Sequence, residues 1–245
     1  MKLTVIDLGT LAYGEALKLQ RAVANARISG QVGDALLLVE HPPVITLGRG
    51  TKPGHLVASE AQLRARGVEL YEVERGGDIT FHGPGQLVGY PILDLKTHRQ
   101  DLHWYLRQVE EVIIQALGPL GLPCVRNPGK TGVWTAGPGA PSSAPLKKIG
   151  SIGVHARDWV TWHGFALNVT TDLSFFDLIV PCGISDATMT TVEQELATAF
   201  PGPGRVTDAI VRSFESVFGV AAEPRSRGWL DALLQDAATP APVQA

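Results

Sequence analysis

Arg75-Gly76-Gly77-Asp78-Ile79-Thr80-Phe81-His82-Gly83-Pro84-Gly85-Gln86, running into the apolar stretch 87–93, is the passage on which the fold class turns. Strand-like segments meet here across glycine-rich turns, and no helix follows the glycines. A dinucleotide-binding unit needs G-x-G-x-x-G spacing and a helix at that point, so the passage is not one. Working outward, residues 68–73 read as a strand, as do 35–40 and 44–47. The last two are divided by His41-Pro42-Pro43, where proline removes ladder donors. Residues 3–8 open the chain as a strand. Leu17, Gln20, Ala24 and Ile28 then share a helical face that Gly30 terminates. A short helix is expected over 59–67, with Ser59 as its cap and Gly67 as its stop.

Downstream, Leu102, Leu106, Val109, Val112, Ile113 and Ala116 recur at three and four, which predicts a helix over 101–117 capped by Asp101. Strands are expected at Val125, 133–135, 149–155 and 165–169. A helix is expected over 207–218, ending at Gly219, and a short one over 229–234. Residues 136–145 hold only Ala, Gly, Pro and Ser and read as a flexible insertion; 237–245 read as a disordered tail. Strands and helices that do not alternate regularly predict an α+β (mixed α/β) fold, a mixed sheet flanked by helices.

Composition narrows the function classes. Hydrophobic residues are 44% and charged residues 18% of 245, which excludes a disordered chain. No run approaches the ~20 apolar residues of a membrane span. Asp7 interrupts what would be the apolar core of a signal peptide, so a cytoplasmic protein with no membrane association is expected. A net charge of −3 argues against a general nucleic-acid coat. Two cysteines make neither a disulfide framework nor a Cys-rich zinc site, and no metal is expected.

Several stretches are candidates for chemistry. The glycines around Arg75 and His82 let a ligand approach main-chain N–H groups, although the same spacing suits a pair of glycine-rich turns. Gly129-Lys130-Thr131 looks like the end of a phosphate-binding loop, but the glycine required earlier is replaced by Cys124 and a strand follows, so that reading is rejected. Cys124 enters an apolar strand and reads as a small buried hydrophobe. Cys182, in Pro181-Cys182-Gly183, sits in a turn able to present its sulfur to a cleft. Lys147-Lys148 precede the strand Ile149-Gly150-Ser151-Ile152-Gly153-Val154, and alternation puts one of the two lysines on the inner face. His163 heads the apolar strand that contains Gly164, Phe165 and Ala166; a structurally hydrogen-bonded histidine is the commoner case there.

Taken in order, these stretches resemble the lipoyl(octanoyl) transferase family. The match is carried by His41-Pro42-Pro43-Val44-Ile45-Thr46-Leu47-Gly48-Arg49, by 75–93, by Lys148-Ile149-Gly150-Ser151-Ile152-Gly153, by His163-Gly164-Phe165-Ala166-Leu167-Asn168-Val169 and by Pro181-Cys182-Gly183. It spans roughly residues 3–218; the insertion at 136–145 and the C-terminus depart from it without touching a motif. The resemblance implies the biotin/lipoate protein ligase-like fold in a single catalytic domain over 1–236. It also implies transfer of an octanoyl group from octanoyl-acyl carrier protein to the target lysine of lipoyl domains of 2-oxoacid dehydrogenase complexes and of glycine-cleavage H protein.

In that scheme Cys182 is the acyl-thioester nucleophile and Lys148 its acid/base partner. Arg75, Gly76, Gly77, Asp78, Ile79, Thr80, Phe81 and His82, with Ser151, Ile152, Gly153, Gly164, Phe165 and Ala166, are the substrate-binding residues. No cofactor is implied, because the acyl group arrives as an activated phosphopantetheine thioester. The chemistry is coherent: an ordinary cysteine, pKa ~8.5, is only a few per cent thiolate at neutral pH, and a neighbouring ammonium stabilises the anion. Apolar residues around Ile149 and Phe165 are expected to line a tunnel for the chain.

Residues 112–157 and 41–59 lack Asp and Glu but carry Arg49, Lys52, Arg126, Lys130, Lys147, Lys148 and Arg157. They are expected to form a basic docking surface for acidic carrier proteins. Three other readings are open to the sequence: an ATP-dependent lipoate or biotin ligase, a Cys–His thioester hydrolase using His82 or His163, and a non-catalytic acyl-carrier-binding module.

Overall fold

In the computed structural model, residues 1–141, 143–180 and 188–238 are described. The N-terminal part runs β1 (Lys2–Thr10), α1 (Tyr13–Ile28), β2 (Asp34–Glu40), β3 (Val44–Leu47), α2 (Glu60–Ala65), β4 (Glu69–Glu72), β5 (Thr80–His82) and β6 (Gln86–Ile92). After α3 (Leu102–Leu117) come β7 (Val125–Asn127), β8 (Lys130–Thr135), β9 (Lys147–Arg157) and β10 (Val160–Asn168). The chain closes with α4 (Val192–Leu196), α5 (Pro203–Phe218), β11 (Ala221–Arg225) and α6 (Arg227–Ala238).

Eight strands form one mixed sheet in the order β11-β1-β2-β6-β10-β9-β8-β7. The β11–β1 and β1–β2 pairs are parallel, and the remaining neighbours are antiparallel. The apolar run 35–39 becomes β2, which is central and covered on both faces, as such runs usually are. Its Leu36 and Leu38 point to the layer built by α3 and α5, around Val109, Ile113, Ile210 and Phe214. Leu37 and Val39 point to the opposite layer, with Ala16, Leu19 and Val23 of α1 and Leu230 of α6. The period of two therefore fills two cores from one strand.

His41-Pro42-Pro43 moves the chain out of this sheet into a second one, ordered β4-β3-β5. His41 is buried at the crossing; its Nδ1 lies 2.7 Å from the Leu11 carbonyl and its Nε2 lies 2.7 Å from the Tyr90 hydroxyl. The carbonyl requires a proton on Nδ1, so Tyr90 donates to Nε2. Caps form where the sequence indicates them. Ser59 and Gln62 make a capping box on α2, Asp101 accepts from the His103 and Trp104 amides, and Gly219 ends α5 in the left-handed region.

Differences from expectation lie at element ends. α5 begins at Pro203 rather than Thr207, because Gly202-Pro203 supplies a proline at the first helical position. α6 continues to Ala238, so residues 237 and 238 are helical; the remainder of the expected tail, 239–245, lies outside the described residues. Residues 136–145 connect β8 to β9, an antiparallel pair. Among the described residues no helix is long and apolar enough to cross a membrane.

Candidate active site

A cavity of about 280 Å³ opens between the large sheet and the Arg75–His82 passage, near the lower end of the range for small-molecule sites, ~300–1,000 Å³. Tyr13, Val88, Tyr90, Ile152, Phe165 and Ala166 give it apolar or aromatic walls, while Arg75, Asp78, His82, Lys130, Lys148 and His163 bring the ionisable groups.

The Arg75 passage is shaped by where the arginine goes. Its side chain is buried and turned back on β3, donating from Nη2 to the Thr46 carbonyl at 2.7 Å and to Thr46 Oγ1 at 2.8 Å. The close approach explains two glycines: a Cβ on Gly48 would stand 2.7 Å from Arg75 Nη1, and one on Gly153 would stand 3.2 Å from Arg75 Cδ. Beyond Arg75, strand alternation divides the passage. Thr80 and His82 face the cavity, whereas Ile79 and Phe81 pack into an apolar cluster with Ile45, Phe176 and Leu178. Gly76 is not on the cavity wall either; its amide donates to the Val154 carbonyl of β9 at 2.8 Å and ties the passage to the sheet.

His82 begins a buried hydrogen-bond chain. Its Nδ1 donates to Gln86 Oε1 at 2.8 Å, Gln86 Nε2 donates to Asn168 Oδ1 at 2.9 Å, and Asn168 Nδ2 donates to the Thr190 carbonyl at 3.1 Å. Burial, with His41 beside it, pushes the His82 imidazole down to about 3, and burial pushes His41 down to about 4. Both rings are therefore neutral at ordinary pH. His163 is buried with a positive φ of 56°, its amide held by Gln20 Oε1 at 3.0 Å. Its Nε2 lies 3.8 Å from Glu74 Oε2, and burial lowers its basicity.

Lys148 is 1% exposed although its neighbour Lys147 is not buried and pairs with Glu195, so alternation separates the two lysines as expected. The Lys148 side chain runs past Gly132, where a Cβ would stand 2.9 Å from Lys148 Cε. Its Nζ lies 5.7 Å from the centre of the Trp134 ring, within cation–π range. The main chain of Lys148 is held on both sides, its amide donating to the Thr188 carbonyl at 2.8 Å and its carbonyl accepting from Thr190 at 3.0 Å.

Cys182 lies outside the described residues, as do Pro181 and Gly183. The chain on either side is fixed. Val180 donates to the His55 carbonyl at 2.8 Å, Ile179 bridges Leu56, and Met189 bridges Lys148. Cys124 is buried away from the cavity in the α3–α5 layer, where burial pushes its thiol up to about 12.

The cavity thus brings together Arg75, Gly77, Asp78, Thr80, His82, Lys148, Ser151, Ile152, Gly153, Gly164, Phe165 and Ala166. Tyr13, Val88, Tyr90, Gly129, Lys130 and Thr131 also line it without having been singled out as binding residues. Gly129-Lys130-Thr131 runs from the β7–β8 turn into β8, an antiparallel pair, and so is no phosphate loop, but the same residues supply part of the wall. Tyr13 and Tyr90 carried no local signal, being one helix-start and one strand residue. Ile149, expected beside the acyl chain, instead packs with Ile113 and Val133 on the α3 side of the sheet.

The basic segments resolve unevenly. Arg126 is bound to Glu110 at 3.0 Å and to Glu111 at 2.6 Å, so its charge is matched by α3. Lys147 is matched by Glu195, whereas Arg49 and Lys52 are exposed. Among the described residues, no group of three His, Cys, Asp or Glu side chains is arranged to hold a metal ion.

Residues 12–215 match the catalytic domain of lipoyl protein ligases A and B. The chain belongs to that family. It is 48% identical over 226 residues to an octanoyltransferase of Acidobacterium capsulatum, covering 89% of each chain. It is 49% identical over 216 residues to an octanoyltransferase of Koribacter versatilis, covering 87% of this chain and 83% of that one. The family's ligase members share the fold. A bipartite lipoate protein ligase from Thermoplasma acidophilum superposes with a TM-score of 0.75 at 17% identity, over 96% of this chain and 91% of that one. A lipoate-protein ligase A bound with ATP gives 0.76 at 16% identity, over 96% and 94%. The sequence relatives place this chain with the octanoyltransferases, acyltransferases of protein lipoylation, rather than with the ATP-dependent ligases.

Proposed function

We propose that this chain moves an octanoyl group from the phosphopantetheine thioester of an acyl carrier protein to the target lysine of lipoyl domains and of glycine-cleavage H protein, through an acyl thioester on Cys182. The observation that carries this reading is the setting of Lys148. It is buried on a cavity wall, with its main chain hydrogen-bonded to Thr188 and Thr190, which follow Pro181-Cys182-Gly183 in sequence. Cys182 is two positions after Val180, which donates to the His55 carbonyl, and six before Thr188, which accepts from the Lys148 amide.

In the first half-reaction the Cys182 thiolate attacks the thioester carbon, the bond to the pantetheine sulfur breaks, and Lys148 gives its proton to the departing thiolate. In the second, the acceptor amine attacks the Cys182 thioester, Lys148 takes a proton back, and the thiolate is restored. The main-chain N–H of Gly77, at the cavity wall, suits the developing oxyanion; such a donor is worth on the order of 3 kcal/mol. Val88, Ile152, Phe165 and Ala166 suit the alkyl chain, at ~0.8 kcal/mol per buried methylene. The thioester is already activated, so the reading requires no nucleotide or other cofactor.

The hydrolase reading is less well supported. His82 commits Nδ1 to Gln86 and is fully desolvated. His163 pairs with Val154, six residues along β9 from Lys148, which at ~3.3 Å per residue is about 20 Å. Intact-protein mass spectrometry after mixing with octanoyl carrier protein tests the proposal. An octanoyl adduct on Cys182 should persist without acceptor and pass to an added lipoyl domain, and Cys182→Ala or Lys148→Ala should abolish transfer. Full activity of Cys182→Ala would overturn the mechanism.

A further inference from the structure

β9 keeps its β10 neighbour from Gly150 to Arg157, but its ladder with β8 ends where Val133 meets Gly150. In an antiparallel sheet, alternate residues point their N–H and C=O groups toward opposite neighbours. Val154 points away from β10: its carbonyl accepts from the Gly76 amide at 2.8 Å, and His163, opposite it on β10, sends its own amide to Gln20. Ile152, two residues earlier, therefore points its N–H and C=O the same way, toward the side that β8 has left. Among the described residues no strand pairs with it there. Ser151, Ile152 and Gly153 line the cavity together with Gly129, Lys130 and Thr131, so this short free edge opens into the site. Gly76 closes its far end, approaching so tightly that a Cβ on Gly153 would stand 2.9 Å from the Gly76 carbonyl oxygen.

We infer that the free edge at Ile152 binds the amide of the donor's pantetheine arm that lies next to the thioester, pairing with it as an added strand would. This rests on the reading above, in which an acyl carrier protein is the donor. Val133 lies opposite Gly150, which puts Gly132 level with Ser151, and Lys148 Nζ is 3.5 Å from the position a Gly132 Cβ would take. Ile152 is one residue further along β9. Its edge groups are therefore separated from Nζ by about one strand spacing and one residue rise, ~5–8 Å. In a pantetheine thioester two methylenes separate the sulfur from the amide nitrogen, and the amide carbonyl comes next, so both polar atoms lie roughly 4–6 Å from the sulfur at ordinary bond lengths. With the sulfur beside Lys148 Nζ, which protonates it on departure, the amide reaches Ile152. It offers an N–H to the Ile152 carbonyl and a carbonyl to the Ile152 N–H. The alkyl chain offers neither, and the thioester can only accept. The acceptor lysine carries its nearest amide beyond four methylenes. Pairing at Ile152 thus sets the thioester against Lys148 and favours thiols that carry an amide two carbons from sulfur.

Three small donors test this by their single-turnover rates of acyl-enzyme formation. S-octanoyl-N-acetylcysteamine carries the amide; the octanoyl thioester of 5-mercaptopentan-2-one has a methylene in place of its N–H; S-octanoyl pentanethiol has neither polar group. The ketone should acylate the protein about tenfold more slowly than the amide, because the Ile152 carbonyl loses its donor, and the pentanethiol ester more slowly again. Ile152→Pro deletes the edge N–H without removing a ladder bond, and proline is tolerated where the N–H faces an open edge. It should slow the amide and ketone donors about tenfold and the pentanethiol ester far less. Its loss should also fall on acylation more than on transfer to a lipoyl domain, because the arm has departed by then. Equal rates for the three donors overturn the inference, whether or not Ile152→Pro folds. So does an Ile152→Pro protein that slows every donor and the amine step alike, as a disturbed strand would. Failure of the unsubstituted protein to form any acyl-enzyme, with octanoyl carrier protein as well, overturns the Cys182 reading, and this one with it.

Discussion

Arg126 separates docking from folding. Read as one of several cations in an acid-free segment, it belongs to a surface that steers an acidic carrier. In the structure it is one of three donors to Glu110, a side chain with no exposure at all. Glu110 accepts from Arg107 Nη1 at 2.6 Å, Arg126 Nε at 3.0 Å and the Gly132 amide at 3.0 Å. Arg126→Ala removes one charge-assisted hydrogen bond, typically about 1.5–3 kcal/mol. Arg126 is 37% exposed, so screening moves the figure toward the low end, and the more exposed Glu111 pair adds at most ~1 kcal/mol. The expected loss is about 2 kcal/mol, or about 4–8 °C in Tm for a chain of this length. Arg126→Glu should lose more, since it sets a carboxylate against two others. Thermal unfolding measured beside kcat/KM across a salt series distinguishes the roles. Arg126 variants should melt early with an unaltered salt slope. Arg49→Glu combined with Lys52→Glu, both at exposed positions, should keep the Tm and lose kcat/KM for the carrier protein mainly at low salt. An Arg126→Glu protein with unchanged Tm and a salt-dependent drop in kcat/KM would refute the reasoning.

Gly132→Ala adds one methyl group 2.9 Å from Lys148 Cε and 2.6 Å from the Gly150 carbonyl, at a φ of 125°; displacing the ammonium should cost about 100-fold in kcat, and unchanged kcat would show that Lys148 tolerates displacement. Cys124, held protonated by burial, should stay unlabelled by iodoacetamide at pH 8 in the native protein, and Cys124→Ala should remain active; labelling at Cys124 would contradict its placement. His41 and His82 are held neutral when folded but return to about 6.5 when unfolded, so below that pH the unfolded chain binds protons that the folded one does not. Stability present above pH 6.5 should therefore fall as pH drops toward 4, by about 3 kcal/mol for His41 alone, and urea midpoints for His41→Gln should show a shallower decline; identical slopes would disprove the assignment.

Much of the fold was legible because its signals are local. Periodicity of three and four marked α1, α3 and α5, and the caps at Ser59 and Asp101 form as their side chains predict. β11 was not legible: Ala-Ala-Glu-Pro-Arg has no alternation, and the strand exists because Lys2–Ile6 offers it a parallel partner. Pro224 is tolerated because β11 is at the sheet edge. Within the Arg75–His82 passage the period of two does separate Thr80 and His82 from Ile79 and Phe81, but the sequence does not say which set meets a cavity and which meets Phe176. That depends on the chain switching sheets at His41-Pro42-Pro43, a tertiary event.

Charge was the hardest property to read, for a related reason. The acids that neutralise the basic segments come from other elements: Glu110 and Glu111 from α3, and Glu195 from α4. A stretch without Asp or Glu is basic only until the fold supplies its partners. The same rule explains why the pairing of His55 with Asp78 is not visible in the sequence. His55 is an isolated histidine following Lys52-Pro53-Gly54, and Asp78 sits beside glycines; alone, each has an ordinary solvated-surface reading. Twenty-three residues separate them, and only the packing of the Gly48–Gly50 turn on Gly77 brings imidazole and carboxylate to 2.6 Å. Local patterns specify which backbone elements form, and a hydrogen-bonded imidazole–carboxylate pair is a property of two elements at once. The residues a single sequence hides are therefore those whose chemistry depends on a partner from elsewhere in the chain, and a cavity wall assembled from five strands, two loops and the start of a helix is where such pairs concentrate.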